Sequence, residues 1–236
     1  MKDTVLTFKR YEKKYVLQKE QYRIFMDIAG EHLVPDEYHK SLVCSIYYDS
    51  DSYSLIRHSI DGPVYKEKIR LRSYGVPETT GTAFVELKKK YKGVVYKRRI
   101  QTDPATAEAW LAGRAAAPEE SQTSREIDWF LKTNPVVPKA FIGSDRLSWV
   151  DREEPELRFT FDESIRWRTD KLSLMEGDSG EELLKDGSVL MEIKIPEAAP
   201  LWLARLLSDE EIFPTGFSKY GNCYKENILK QTAFAD

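Results

Sequence analysis

The chain has 236 residues, enough for one fairly large domain with a real core. Charged residues make up 32%, yet the net charge is only -3. That excludes the global basic field of a general nucleic-acid binder, so an anionic partner must be sought in local clustering. Cys44 and Cys223 stand far apart and in no metal-ligand spacing, which points to a reducing cytoplasm rather than a disulfide framework. The opening segment, MKDTVLTFKRYEKKYVL, has no uninterrupted apolar core of the signal-peptide kind. No stretch approaches the roughly 20 apolar residues of a membrane span. The expectation is a soluble chain that could still dock on a membrane partner.

In chain order, Val5 to Leu17 is rich in strand formers and Glu20 to Leu33 has helical apolar spacing. Val43 to Asp49 predicts a strand and Ser52 to Ser59 a short helix. Val64 to Arg72 alternates strictly. Thr82 to Tyr91 and Val94 to Thr102 flank Lys92-Gly93, a hairpin turn signal. Asp103-Pro104 opens a helix over Thr106 to Ala112, and Ser124 opens another to Lys132, with Asp128 as a nearby partner. Lys139 to Val150, Glu156 to Arg166 and Val189 to Ile195 predict strands, Pro200 to Leu207 and Tyr220 to Gln231 helices. Gly113 to Ser124 and Glu176 to Gly187 read as flexible insertions. About eight strands with short links imply an antiparallel sheet. No repeat or domain boundary interrupts residues 1–236, so a single domain is expected.

Lys66, Lys68, Arg70 and Arg72 occupy alternate positions, so on a strand they share one face. The habit recurs with Glu86, Lys88 and Lys90, with Lys97 and Arg99, with Arg158, Thr160 and Asp162, and with Glu192 and Lys194. A solvated sheet face is one reading. The bias to one sign argues for another, because like charges on neighbouring strands repel. If the strands close into a barrel with apolar sides outward under helices, the cations converge on a lumen that needs anions or water. Phosphate chains suit such a lumen: Arg matches phosphate oxygens in pairs and Lys supplies a point charge. Glu86 and Glu192 could hold a divalent metal that bridges phosphate oxygens. No aromatic platform is interleaved with the basic stretches, so nucleic acid is disfavoured. Tyr47, Tyr48, Trp149 and Trp202 read as packing residues. His32, His39 and His58 do not cluster, and no Ser-His-Asp or Cys-His arrangement stands out.

Seven segments in order carry a family likeness: Arg10-Tyr11-Glu12-Lys13-Lys14-Tyr15, Ile46-Tyr47-Tyr48-Asp49, Ile69-Arg70-Leu71-Arg72-Ser73-Tyr74-Gly75, Phe84-Val85-Glu86-Leu87-Lys88 with Lys97-Arg98-Arg99, the pair Arg146 and Arg158, Leu190-Met191-Glu192-Ile193-Lys194, and Phe217-Ser218-Lys219-Tyr220. With these the chain resembles the VTC domain, the polyphosphate-polymerase branch of the triphosphate tunnel metalloenzymes, related to the CYTH proteins. The resemblance implies an α+β fold: an antiparallel closed β-barrel of about eight strands with helices packed outside. It implies phosphate binding by Lys14, Arg70, Arg72, Lys88, Lys97, Arg146, Arg158, Lys194 and Lys219, with Ser218 assisting. Arg10 adds anion affinity; Lys68 and Arg99 join from alternation alone. Glu192 would be the principal ligand for Mn²⁺ or Mg²⁺.

The implied reaction transfers the γ-phosphate of ATP to a growing polyphosphate end. One departure bears on this: CYTH hydrolases and cyclases carry Glu-x-Glu-x-Lys on the first strand, whereas this chain has Arg10-x-Glu12-x-Lys14. A cation replaces a metal-binding carboxylate, which favours polymerisation over hydrolysis. The rivals are a tripolyphosphatase or nucleoside triphosphatase in the same tunnel, and a non-catalytic binder of polyphosphate or inositol phosphates. The expected partners are ATP, triphosphate and polyphosphate, in the cytoplasm or at the inner face of a membrane through a partner protein.

Overall fold

The computed structural model describes residues 11–230. They form two compact units, one of residues 11–41, 145–164 and 184–217, the other of residues 42–144, 165–183 and 218–230. The strands are β1 (Tyr11–Leu17), β2 (Leu33–Asp49), β3 (Tyr65–Tyr74), β4 (Ala83–Tyr91), β5 (Val94–Thr102), β6 (Val137–Asp151), β7 (Arg158–Arg168), β8 (Glu181–Glu182) and β9 (Val189–Ile195). The helices are α1 (Lys19–Ala29), α2 (Ser54–Ile60), α3 (Pro104–Leu111), α4 (Gln122–Thr133), α5 (Leu201–Asp209) and α6 (Lys219–Cys223), the last continuing into a π-turn at Tyr224–Ile228. The helix expected over Tyr220 to Gln231 begins as this α6 and π-turn, and its last residue lies outside the described residues.

In the first unit the strand order is β1-β9-β7-β6-β2. Alternation explains its core. Tyr15, Leu17, Met191, Ile193, Phe159 and Phe161 point to one side of β1, β9 and β7 and are buried with Phe25 of α1 and Leu203 and Leu206 of α5. The helix expected over Glu20 to Leu33 stops at Ala29, where the amide of Gly30 donates to Met26 and that of His32 to Ala29. Leu33 already begins β2, ten residues ahead of the predicted start. The missed half, Val34 to Ser41, is polar and half-exposed, so it has no apolar period to read.

In the second unit the order is β7-β6-β2-β3-β4-β5, with β8 beside β7. Ile46, Ile69, Leu71, Val85, Leu87 and Ile100 fill one face and pack with Trp110 of α3 and Ile127 and Phe130 of α4. The β4–β5 hairpin has the predicted turn and bounds, save that β4 begins at Ala83 rather than Thr82: Lys92 and Gly93 have φ of 45° and 85°, which Gly tolerates at no steric cost. Asp103 caps α3 by accepting the Thr106 amide at 2.8 Å. Ser121 rather than Ser124 caps α4, accepting the Ser124 amide at 3.0 Å, and Asp128 instead takes the Trp110 indole proton at 2.6 Å.

The insertion expected to be flexible at Glu176 to Gly187 is tied down. Buried Arg168 donates to the carbonyls of Lys171, Gly177 and Ser179 and lies 3.8 Å over the Phe141 ring. Arg166 holds Asp178, and β8 pairs with β7. Sequence composition there is mostly acidic residues and glycine; the ordering comes from arginines outside the segment. The α+β, antiparallel architecture is the expected one. β1 and β5 end their respective orders, and among the described residues no ladder joins strand ends into a closed ring.

Candidate functional site

In the second unit, register determines what shares a face. Arg70 lies between Tyr47 on β2 and Glu86 on β4, and Glu86 lies beside Arg99 on β5. One step away, Lys68, Lys88 and Lys97 are directly opposite one another on three strands; a further step brings Lys66 beside Lys90. Arg72 sits across from Ser45. This face of β3, β4 and β5 therefore carries eight cations and one carboxylate, while the opposite face is the apolar core. Directly opposed like charges destabilise a sheet, so an all-lysine row is unexpected of a purely structural face.

Glu86 organises the centre. It is 1% exposed. Arg70 donates Nε and Nη2 to its Oε2 at 2.8 and 2.6 Å. Arg99 donates Nε to Oε1 at 2.7 Å and a second N–H to the same oxygen, and Lys97 Nζ lies 2.7 Å from it. Arg72 Nε stands 3.9 Å from Oε2 and donates to Ser45 at 3.3 Å. Burial pushes the Glu86 carboxyl upward, but Arg70, Arg72 and Lys97 outweigh it and hold the group well below the usual carboxylate range. With both oxygens occupied by cations, Glu86 does not have a metal ligand's surroundings; that expectation is corrected.

The guanidiniums are braced at their other ends by phenols. Arg70 Nη1 donates to Tyr47 Oη at 3.0 Å, and Arg99 to Tyr74 Oη at 3.2 Å. Burial drives Tyr47 up, but Arg70, Arg72 and Lys219 bring it down to about 8. Its ring stacks on Tyr220, 4.7 Å between centroids, and Tyr220 donates its hydroxyl to buried Asp49. Asp49 also accepts the amides of Leu55 and Ile56, fixing the first turn of α2. Lys68 Nζ donates to Ser218 Oγ at 3.0 Å, and that oxygen accepts the Gly221 amide at 3.3 Å. Ser218 is thus both a cap of α6 and a lysine partner. Lys219 is the first residue of α6. Lys88 is half-buried on the cationic face.

In the first unit the polar faces of β1, β9 and β7 carry Glu12, Lys14, Arg158, Thr160, Asp162, Glu192 and Lys194. Lys14 Nζ donates to Glu192 Oε1 at 2.7 Å and stands 3.5 Å from Glu12. Arg146 grips fully buried Asp162 with two bonds, at 2.8 and 2.7 Å. Arg158 is exposed, 3.9 Å from Asp36. Lys194 lies between Glu12 and Arg158 in register. Arg10 lies outside the described residues.

A metal would have little protein to bind. No group of three His, Cys, Asp or Glu is assembled among the described residues. The Thr160 hydroxyl, buried and without a hydrogen-bond partner among the described residues, stands beside Glu192 in register. Glu192 with Thr160 suits an ion that takes most of its oxygens from phosphates and water, as Mg²⁺ does.

Tyr74 and Ser45 are site neighbours that sequence reasoning did not single out, Tyr47 is one it read as packing, and Thr160 and Asp162 were placed on the Arg158 face without partners. Alternation could have found Tyr47, since Ser45 and Tyr47 occupy the same side of β2. The remaining signals are pairings across strands, which no local pattern carries.

The second unit thus presents a sheet face crowded with cations, and each unit has antiparallel strands with helices on the apolar side. The structure is similar to a candidate adenylate cyclase from Bacillus halodurans, with 13% identity over 88% of this chain and 92% of that one, at a TM-score of 0.56. It is also similar to a candidate adenylyl cyclase from Hippeastrum with a dominant triphosphatase activity, with 14% identity over 91% and 94% of the two chains, at a TM-score of 0.50. At such identities the likeness is one of fold. No curated protein matches the chain. The VTC domain profile matches residues 9–227, nearly the whole length, and the chain belongs to the VTC domain family.

Proposed function

We propose that the chain is a metal-dependent polyphosphate polymerase that transfers the γ-phosphate of ATP to the end of a polyphosphate chain. The observation that carries this reading is the face of β3, β4 and β5, where eight cations surround one carboxylate already saturated by three of them. A polyanion relieves the mutual repulsion of the rest.

In this reading Arg70, Arg72 and Arg99 take triphosphate oxygens in the second unit, with Lys68, Lys88 and Lys97 along the chain and Ser218 and Lys219 beside them. Lys14, Arg146, Arg158 and Lys194 supply cations in the first unit, and Arg10 joins them from the sequence pattern. Glu192, with Thr160, would hold Mn²⁺ or Mg²⁺, which when bound would neutralise charge on phosphate oxygens. An oxygen of the acceptor phosphate bonds to the γ-phosphorus, the bond to the β–γ bridging oxygen breaks, and ADP leaves with the electron pair. Phosphoryl transfer of this kind needs positioning and charge neutralisation rather than a covalent nucleophile. Lys14 orients Glu192 through its 2.7 Å bond to Oε1.

Glu12, 3.5 Å from Lys14, favours a second reading: part of the carboxylate pattern of the hydrolytic relatives is kept, and a triphosphatase would use water as acceptor. Incubation with ATP and Mn²⁺ separates the readings. Polymerisation gives ADP and chains resolved on a gel, and Arg70→Ala loses both. Orthophosphate without chains supports the triphosphatase, and tight triphosphate binding without turnover supports a non-catalytic binder.

A further inference from the structure

The tip of the β4–β5 hairpin combines two properties that the cationic face does not need. Val64, Tyr65, Tyr91, Val94, Val95 and Tyr96 are all exposed there, between 43% and 62%. Tyr65, Tyr91 and Val94 form one cross-strand row, and the next positions pair Lys90 with Val95 and Lys89 with Tyr96. The α4 side of the hairpin ends in ion pairs, Lys89 and Arg98 to Glu126, so the apolar tip projects beyond that cover. Along the hairpin itself the charge is of one sign: from Lys88 to Arg99 the sequence KKKYKGVVYKRR has seven cations and no acid, in a chain of net charge -3, while Glu67, Glu86 and Glu126 of neighbouring segments pair with Lys89, Lys97 and Arg98. Lys92, at the turn, lies 5.5 Å over the Tyr91 ring.

We propose that this hairpin is a peripheral membrane-docking element that inserts Val64, Val94, Val95 and the tyrosines into the interface of a bilayer containing anionic lipids. Three features select that occupant. Tyrosine is suited to the boundary where one end of a side chain is apolar and the other wet. Lysine stems can lie along apolar surface while their ammonium groups reach anionic headgroups. A free polyanion would use the lysines but leave three valines in water. A second copy pairing along β5, an end of the strand order, would bring seven cations against seven, which disfavours self-association. No described helix is long and apolar enough to cross a membrane, so docking of this kind would be reversible.

The test is flotation of the full chain with vesicles of phosphatidylcholine alone and with added phosphatidylglycerol. The expected result is binding to the anionic vesicles only, weakened by salt. Replacing Lys92 by Gln should lose roughly fivefold in partitioning. Val94→Ser with Val95→Ser should lose about tenfold or more. Val94→Trp should show a blue-shifted emission on vesicle addition, which reports insertion directly. None of these positions contributes to the proposed reaction, so ATP turnover without vesicles should be unchanged. Absence of binding to anionic vesicles overturns the proposal. So does binding that the double valine variant keeps and the Lys92 variant loses, with no shift from Val94→Trp, since that is the behaviour of a simple polyanion contact. Loss of vesicle binding on adding inorganic polyphosphate, with the valines again irrelevant, would assign the tip to polyphosphate instead.

Discussion

Replacing Glu86 by Gln tests the cationic face at its centre. Glu86 is the shared acceptor of Arg70, Arg99 and Lys97, and it is almost wholly buried. Removing one partner of a buried ion pair costs about 3–5 kcal/mol, because the other charge stays buried without compensation. Gln keeps one carbonyl oxygen for one guanidinium, so the lower end, about 3 kcal/mol, is expected. For a chain of this length that is a fall in melting temperature of roughly 6–12 °C. The pH dependence has a definite sign. Glu86 is depressed in the folded state, so its contribution is complete above the ordinary glutamate pKa of about 4.3 and drains away as pH falls through the lower folded value. The gap between wild type and Glu86→Gln should therefore narrow only in acid. Added tripolyphosphate should restore much of the variant's loss, since a bound anion replaces the missing charge; a ligand at 100 times its Kd adds about 2.7 kcal/mol. Calorimetry with and without tripolyphosphate reads both effects. A variant as stable as wild type, or one that gains no more from tripolyphosphate than wild type does, would refute an anion-demanding face.

Tyr47 should titrate near 8, far ahead of ordinary tyrosines, giving an early step in the tyrosinate absorbance that Tyr47→Phe removes. Because this pKa is depressed, the group adds stability as pH rises through about 8 toward about 10, where the unfolded tyrosine catches up. Bound tripolyphosphate should push the step upward. Arg146→Ala leaves fully buried Asp162 without its two guanidinium bonds, and a loss of about 3–5 kcal/mol in urea denaturation is expected. Arg168→Met should leave the sheet folded but expose residues 171–180 to limited proteolysis, because the carbonyls that Arg168 gathers lose their donor. Asp103→Ala removes the α3 cap and should lower stability by about 1 kcal/mol, seen as a small shift of the denaturation midpoint.

Where a side-chain period was strong, the sequence was legible. The β4–β5 hairpin and Val189–Ile195 fall where alternation and the Lys92-Gly93 turn put them. Arg70 and Arg72 share a face with Lys97 and Arg99 for the same reason. The first half of β2 was invisible because polar residues on both sides of a strand leave no apolar rhythm. Glu86 was misread as a metal ligand because its identity was visible while its neighbours, brought by register from β3 and β5, were not. Alternation placed Asp162 on the face of Arg158 and Thr160, but its guanidinium partner, Arg146 of β6, was not legible. Local sequence specifies which face a side chain takes; partnership depends on pairings far apart in the chain.

The segment between Arg168 and β8 is recognised through its backbone. Arg168 addresses carbonyl oxygens at Lys171, Gly177 and Ser179, and Gly180 passes so close to Trp167 that a Cβ would lie 2.5 Å from its carbonyl oxygen. Carbonyls are common to every residue, so side chains here other than core Leu172 and Leu174 and the bonded Ser173 and Asp178 can change, while a one-residue insertion or deletion would misplace every acceptor. Among related chains such a loop should vary in composition and hold its length, with Gly180 as the position that does not move.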